Sequence, residues 1–183
     1  MTKRTFKDCL ALGERGERTF LHYNKTYEKI KKNYQADFRC RETGLLVEMK
    51  TDYYSMKKTA NFFMETFSNI KTKRRGGPFS ALDLGVDYFV YYFITEGEAF
   101  WFHTKELVEY LDANRDEWRT STVYGGKNII TEGLLVPRTD LTDILAGTDN
   151  WKEPEHDKEE EHIDVFSERV DTSASSGESS EGS

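Results

Sequence analysis

Residues 35–52 read QADFRCRETGLLVEMKTD. Two short extended runs, residues 35–41 and 45–51, flank Glu42, Thr43 and Gly44. That composition predicts a hairpin turn. Side chains alternate along a strand, so Glu48 and Lys50 share one face and Val47 and Met49 take the other. The hairpin brings Asp37 alongside the face of Glu48 and Lys50.

Before the hairpin, residues 8–32 carry Phe20, Leu21, Tyr23, Tyr27 and Ile30 near one helical face. Lys29, Lys31 and Lys32 fall in the last turns, where cations suit the helix dipole. Gly13 and Gly16 weaken the first part of that helix. After the hairpin, residues 61–68 (NFFMETFS) alternate and predict a third strand, with a helix as the alternative. Residues 71–78 (KTKRRGGP) read as a loop. A short helix is expected over 79–85 and a buried strand over 87–95, whose apolar run is continuous. A further strand is expected over 99–103. Thr104 is expected to cap a helix running to about Asn114, and a last strand to cover 128–136. Helix, three strands, helix, strand, then additions, describes an α/β sandwich with a mixed sheet.

The 183 residues divide by charge. The net of −7 hides a tail, residues 151–183, with eleven acidic and three basic residues, against 22 acidic and 23 basic in residues 1–150. The expectation is one folded domain over 1–150 and an acidic, disordered tail over 151–183. Ile163, Val165 and Phe166 form a small apolar island in the tail. Local charge decides partners, so overall acidity does not exclude nucleic acid. No apolar stretch is long enough to cross a membrane as a helix. The opening MTKRTFKDCLALGERGE lacks the apolar run of a secretory signal, and a cytoplasmic location is expected. Cys9 and Cys40 make no disulfide framework and fit no CxxC pattern. His22 and His103 have no ligand spacing such as HExxH, and His156 and His162 read as solvated tail residues. No Walker loop or GxGxxG supports a nucleotide cofactor.

The chemistry therefore concentrates at Asp37, Glu48 and Lys50. Two carboxylates converging on one point repel each other unless a cation lies between them, and a hard cation such as Mg²⁺ suits them. A lysine beside them can orient or help deprotonate a water, or meet charge developing on a phosphorus centre. This is a minimal kit for phosphodiester hydrolysis. The bland alternative is an exposed cross-strand charge pair.

The Asp37, Glu48-x-Lys50 pattern, on a hairpin that follows a glutamate-bearing helix, resembles the PD-(D/E)XK nuclease superfamily. The resemblance covers about residues 8–114 and implies the restriction-endonuclease-like αβββαβ core. It makes Asp37 the first acid, Glu48 the second and Lys50 the lysine. Glu17 in GERGE resembles the family's helical glutamate, with Glu14 the other choice. The metal set it implies is Glu17, Asp37, Glu48 and the backbone carbonyl of Met49. The proline that names the motif is absent, since Gln35 and Ala36 precede Asp37. EMKTD followed by TANFFME also resembles phage nucleases with an EVKTD…TGN…IE pattern. Asn61 and Glu65 match there, and Ala60 stands where a glycine is expected.

The resemblance implies a Mg²⁺-dependent endonuclease acting on DNA, with Mn²⁺ able to substitute, encoded by a phage and acting in host cytoplasm. Lys57, Lys58, Lys71, Lys73, Arg74 and Arg75 are candidate phosphate contacts. Tyr53 and Tyr54 are candidates to stack on bases, with ordinary packing the alternative. The glycines of RRGGP let a backbone come close. Two other readings stay open. One is a homodimeric nuclease similar to Holliday-junction resolvases. The other is a non-catalytic, DNA-mimicking or protein-binding module whose acidic tail binds a partner or its own basic cleft.

Overall fold

A computed structural model describes residues 6–30, 36–124 and 129–154. Helix α1 (Phe6–Tyr23) leads into a short strand β1 (Tyr27–Lys29), then β2 (Phe38–Cys40) and β3 (Leu46–Asp52). The chain continues through β4 (Asn61–Asn69), β5 (Arg74–Arg75), α2 (Gly77–Asp83) and β6 (Tyr88–Phe93). It ends with β7 (Glu98–His103), α3 (Thr104–Ala113), β8 (Arg119–Tyr124), β9 (Ile130–Pro137) and β10 (Leu145–Asn150). A mixed six-stranded sheet has the order β1-β2-β3-β6-β7-β10, and an antiparallel four-stranded sheet has the order β5-β4-β9-β8. The α/β class and the mixed sheet are as expected from the sequence.

The expected hairpin forms. Phe38 pairs with Val47 and Arg39 with Leu46, and Gly44 turns the chain at φ 79°. β6 lies parallel to β3, with Glu48 opposite Phe89 and Lys50 opposite Tyr91. A parallel strand needs a crossover, and β4, β5 and α2 supply it.

Several expectations need correction. The first helix does not reach residue 32. It stops at Tyr23, Asn24 bonds Phe20 O through both its backbone N–H and its side-chain Nδ2, and the chain reverses into β1. Tyr27 then packs edge-on against Phe20 at 5.3 Å and pairs with Cys40. The apolar periodicity of Tyr27 and Ile30 thus belongs to an edge strand and its exit. Lys31, Lys32 and Gln35 lie outside the described residues. Next, β4 is a strand, but not the third strand of the first sheet: it pairs with β5 and β9 in the second. Alternation gives a strand two faces and does not say which sheet takes its edges. Finally, Thr104 is the first residue of α3 rather than its cap. His103 holds the capping position without a side-chain bond, and Thr104 Oγ1 is buried without a partner.

Two cores sandwich the first sheet. Phe89, Tyr91 and Phe93 of β6 face Phe62 and Met64 of β4, Leu134 and Val136 of β9, and Leu107 and Leu111 of α3. Val90 and Tyr92 face the other way, with Phe20 of α1, Phe38, Val47 and Trp151. Each fully buried aromatic contributes roughly 1.5–3 kcal/mol. Trp151 is 2% exposed, so the folded domain runs past the boundary expected at residue 150. The tail from residue 155 on, with His156, His162 and the island at 163–166, lies outside the described residues.

Candidate functional site

β2 is only three residues long, and its pairing with β3 ends at Phe38 and Val47. Asp37, just before β2, extends that ladder by one rung with its side chain. Its backbone N–H donates to Val47 O (3.1 Å), and its Oδ2 accepts from Met49 N–H (2.9 Å). Beyond that rung no described residue pairs with β3 on the β2 side, and the two strands part. Glu48 and Lys50 lie in the parted segment, on the face opposite Val47 and Met49, which pack on the α1 side of the sheet.

α1 supplies a third acid. Gly16 is buried against β3: a Cβ there would lie 2.0 Å from Thr51 Oγ1, so only glycine lets the helix sit this low. Glu17 follows on one flank and forms an ion pair with Lys29 of β1. Glu17 is half-buried whereas Glu14 is exposed. The electrostatic influence of Glu17 reaches both Asp37 and Glu48, so Glu17 is the helical acid of this cluster. The second sheet supplies a fourth. Glu65 of β4 is half-buried, and its charge is felt at Glu48. A Cβ on Gly76 would lie 2.1 Å from Glu65 Oε1. The glycines of RRGGP thus admit the Glu65 carboxylate and the backbone of β4, with Ser68 N 2.7 Å from a Cβ on Gly76 and Glu65 O 2.9 Å from one on Gly77.

The electrostatics follow from this convergence. Burial first, then the charges of Asp37, Glu17 and Glu65, push Glu48 up to about 8, with Lys50 pulling the other way. Burial raises Asp37 to about 6, opposed by the Met49 hydrogen bond and by Lys29 and assisted by Glu17. Burial also raises Glu65, partly offset by Lys50. Near neutral pH Glu48 retains a proton and Asp37 is largely ionised.

Lys50 is half-buried within this group. Met49 donates its N–H to Asp37. Asn61 opens β4, its N–H bonded to Thr59 Oγ1. Lys57 and Lys58 are exposed between β3 and β4, and Tyr53 and Tyr54 are exposed just before them. Lys71, Lys73 and Arg74 are exposed around β5. Arg75 is otherwise engaged: its guanidinium binds Asp83 at 2.7 Å and lies over the Phe79 ring, so it anchors α2. By sequence Lys29 reads as a helix-end cation. Its role beside Glu17 depends on the turn at Asn24, which the apolar periodicity masks.

Among the described residues, no three acidic, histidine or cysteine side chains stand close enough to cage an ion as they are placed. Two ligand candidates are engaged elsewhere: Glu17 leans to Lys29 and Asp37 to Met49 N–H. The donor set nevertheless suits a hard divalent cation. It is all oxygen, it is partly desolvated, and Glu48 holds a proton that a cation would displace. No helix among the described residues is long and apolar enough to cross a membrane. No family model, curated protein or solved structure matches this chain.

Proposed function

We propose that this protein is a Mg²⁺-dependent nuclease hydrolysing phosphodiester bonds in DNA, built on a restriction-endonuclease-like core, with Mn²⁺ able to replace Mg²⁺. The observation that carries the reading is the convergence of Asp37, Glu48 and Lys50 where β2 parts from β3, with Glu17 and Glu65 closing in from α1 and β4. The order α1, three antiparallel strands, α2 and a strand parallel to β3 supports the same reading, since it is the order that the sequence resemblance implies. The third antiparallel strand is β1 rather than β4, and β4 with β5 becomes an insertion before α2.

Asp37 and Glu48 are the residues to hold the cation, with Glu17 joining them on release from Lys29. The cation, when bound, supplies positive charge to the scissile phosphate and acidifies a water. Ionisation of Glu48 is favoured in that state, because the charge that opposed it is neutralised. Lys50 presents its ammonium group to the attacking water and to the charge that builds on the phosphate oxygens. The exposed Lys57, Lys58, Lys73 and Arg74 contribute salt-dependent backbone contacts. Glu65 borders the same group and restrains Lys50 electrostatically.

The test is incubation of supercoiled plasmid, linear duplex, single-stranded DNA and a four-way junction with Mg²⁺, Mn²⁺ or EDTA. Metal-dependent cutting is expected, and preference for the junction would select the resolvase-like form. A well-folded protein that cuts none of them contradicts the proposal and favours the binding-module reading.

A further inference from the structure

The segment after β10 forms a strap over α1. Trp151 fills the core beneath the helix, with its ring against Phe20 (5.6 Å, edge-on), Tyr92 (5.4 Å), Trp101 (6.1 Å) and Tyr23 (6.3 Å). Its backbone is fastened at both ends: the N–H donates to Gly97 O at 2.6 Å, and the carbonyl accepts from Tyr92 Oη at 2.9 Å. Lys152 N–H donates to Tyr23 Oη at 3.1 Å. Glu153 then takes the Arg15 guanidinium in a two-pronged pair, Nε to Oε1 at 2.8 Å and Nη2 to Oε2 at 2.7 Å. Such forked pairs are directional as well as strong, and this one is largely shielded from solvent, the side chains being 26% and 15% exposed.

The position of Arg15 gives the strap its meaning. Successive helical residues are turned about 100° apart. Gly16 rests on Thr51 of β3. Arg15 therefore projects to one flank of that contact and Glu17 to the other. The glycine contact has no side chain to interlock, and the helix is seated one turn on by Phe20, stacked on Phe38 at 4.1 Å, so the roll of the turn around Gly16 is left to its flanks. Arg15 fixes the roll on one side, and on the other Glu17 is set beside Lys29, Asp37 and Glu48.

We propose that the strap formed by Trp151, Lys152 and Glu153 is a positioning element that fixes the rotation of α1 through Arg15 and so holds Glu17 in the acidic cluster. The inference rests on the nuclease reading for the purpose of Glu17, and on the geometry alone for the clamp. Arg15 and Glu153 act through Glu17 and touch no reacting atom.

The experiment compares Arg15→Glu, Glu153→Arg and the charge-swapped double variant with the wild-type full chain. Hydrogen exchange in EDTA reads the helix, and calorimetric titration with MgCl₂ reads the cluster. Each single reversal is expected to lower protection of α1 amides around Gly16 to Phe20 at least tenfold while β6 and β7 keep theirs. Each is expected to weaken Mg²⁺ binding about tenfold, and the swap to recover most of both losses. In a Glu17→Gln background, Arg15→Glu should weaken Mg²⁺ binding little further. Unchanged α1 protection overturns the clamp. Loosened α1 with unchanged Mg²⁺ affinity, or full additivity with Glu17→Gln, overturns the positioning of Glu17. A wild-type protein that binds no Mg²⁺ overturns the nuclease reading and the purpose assigned to Glu17, while hydrogen exchange still decides the clamp.

Discussion

Replacing Glu48 with glutamine should make the metal-free protein more stable, and increasingly so as the pH rises. The wild-type carboxyl is held at about 8 when folded, against 4.5 for the free group. The folded state thus binds its proton more tightly than the unfolded chain does. Stability from this group is greatest below 4.5 and is lost progressively as the pH rises through 8. At about 1.4 kcal/mol per pH unit, the full penalty above pH 8 approaches 5 kcal/mol. Water entering where β2 and β3 part screens some of it, and about 3 kcal/mol is the working figure. Glutamine keeps the size and hydrogen-bonding capacity and removes the titration. For a domain of this size, about 3 kcal/mol corresponds to a melting temperature higher by roughly 6–12 °C at pH 8.5. At pH 5 the advantage should shrink to under about 1 kcal/mol. The assay is thermal melting in EDTA at pH 5, 7 and 8.5. Adding 10 mM MgCl₂ at pH 8.5 should raise the wild-type melting temperature and leave Glu48→Gln nearly unmoved. Parallel pH profiles for the two proteins, or a variant less stable than wild type at pH 8.5, would refute the claim that Glu48 is held in a repulsive, desolvated cluster.

Other outcomes follow from the same geometry. Mg²⁺ affinity measured by calorimetry should rise severalfold per pH unit from pH 6 to 8 and level off above, because the ion displaces the proton retained by Glu48; a flat profile would contradict this. Asp37→Ala should reduce cleavage at least a thousandfold while circular dichroism reports an intact fold, and wild-type rates would remove Asp37 from the site. Gly76→Ala places a Cβ 2.1 Å from Glu65 Oε1 and 2.7 Å from the backbone N of Ser68 and should destabilise by about 1–3 kcal/mol in urea unfolding, with most of the loss persisting in a Gly76→Ala, Glu65→Ala double variant, because the backbone contact remains. Tyr91→Phe removes the hydroxyl that donates to Asp52 Oδ2 at 2.7 Å and accepts from Phe63 N–H at 3.2 Å; about 1–3 kcal/mol should be lost, and no loss would mean that the bridge between the sheets contributes nothing.

The hairpin and the buried strand were legible because their signals are local. Glu42, Thr43 and Gly44 mark a turn on their own, and the run at Tyr88–Phe93 can only be buried. The pairing of Glu48 with Lys50 on one face follows from strand alternation alone. What could not be read is set by tertiary choice. Tyr27 and Ile30 continue the helical period of Phe20, and only the pairing of Tyr27 with Cys40 moves them to a strand. NFFMETFS alternates equally well in either sheet, so the position of Glu65 beside Glu48 was visible only as a resemblance. Trp151 opens an acidic stretch, and its burial depends on Phe20, Tyr92 and Trp101, all distant in sequence. Gly16 and Gly76, two of the glycines with close neighbours, read in sequence as helix weakness and loop freedom, because their partners Thr51 and Glu65 lie elsewhere in the chain.

Nuclease chemistry at Lys50 is decided by single-turnover cleavage of supercoiled plasmid by wild type and Lys50→Ala, each with Mg²⁺ and with EDTA. Wild type is expected to nick or linearise the plasmid with Mg²⁺ only, and a folded Lys50→Ala protein to lose at least a thousandfold. Equal cleavage by the two proteins, or cleavage that persists in EDTA, would contradict that chemistry.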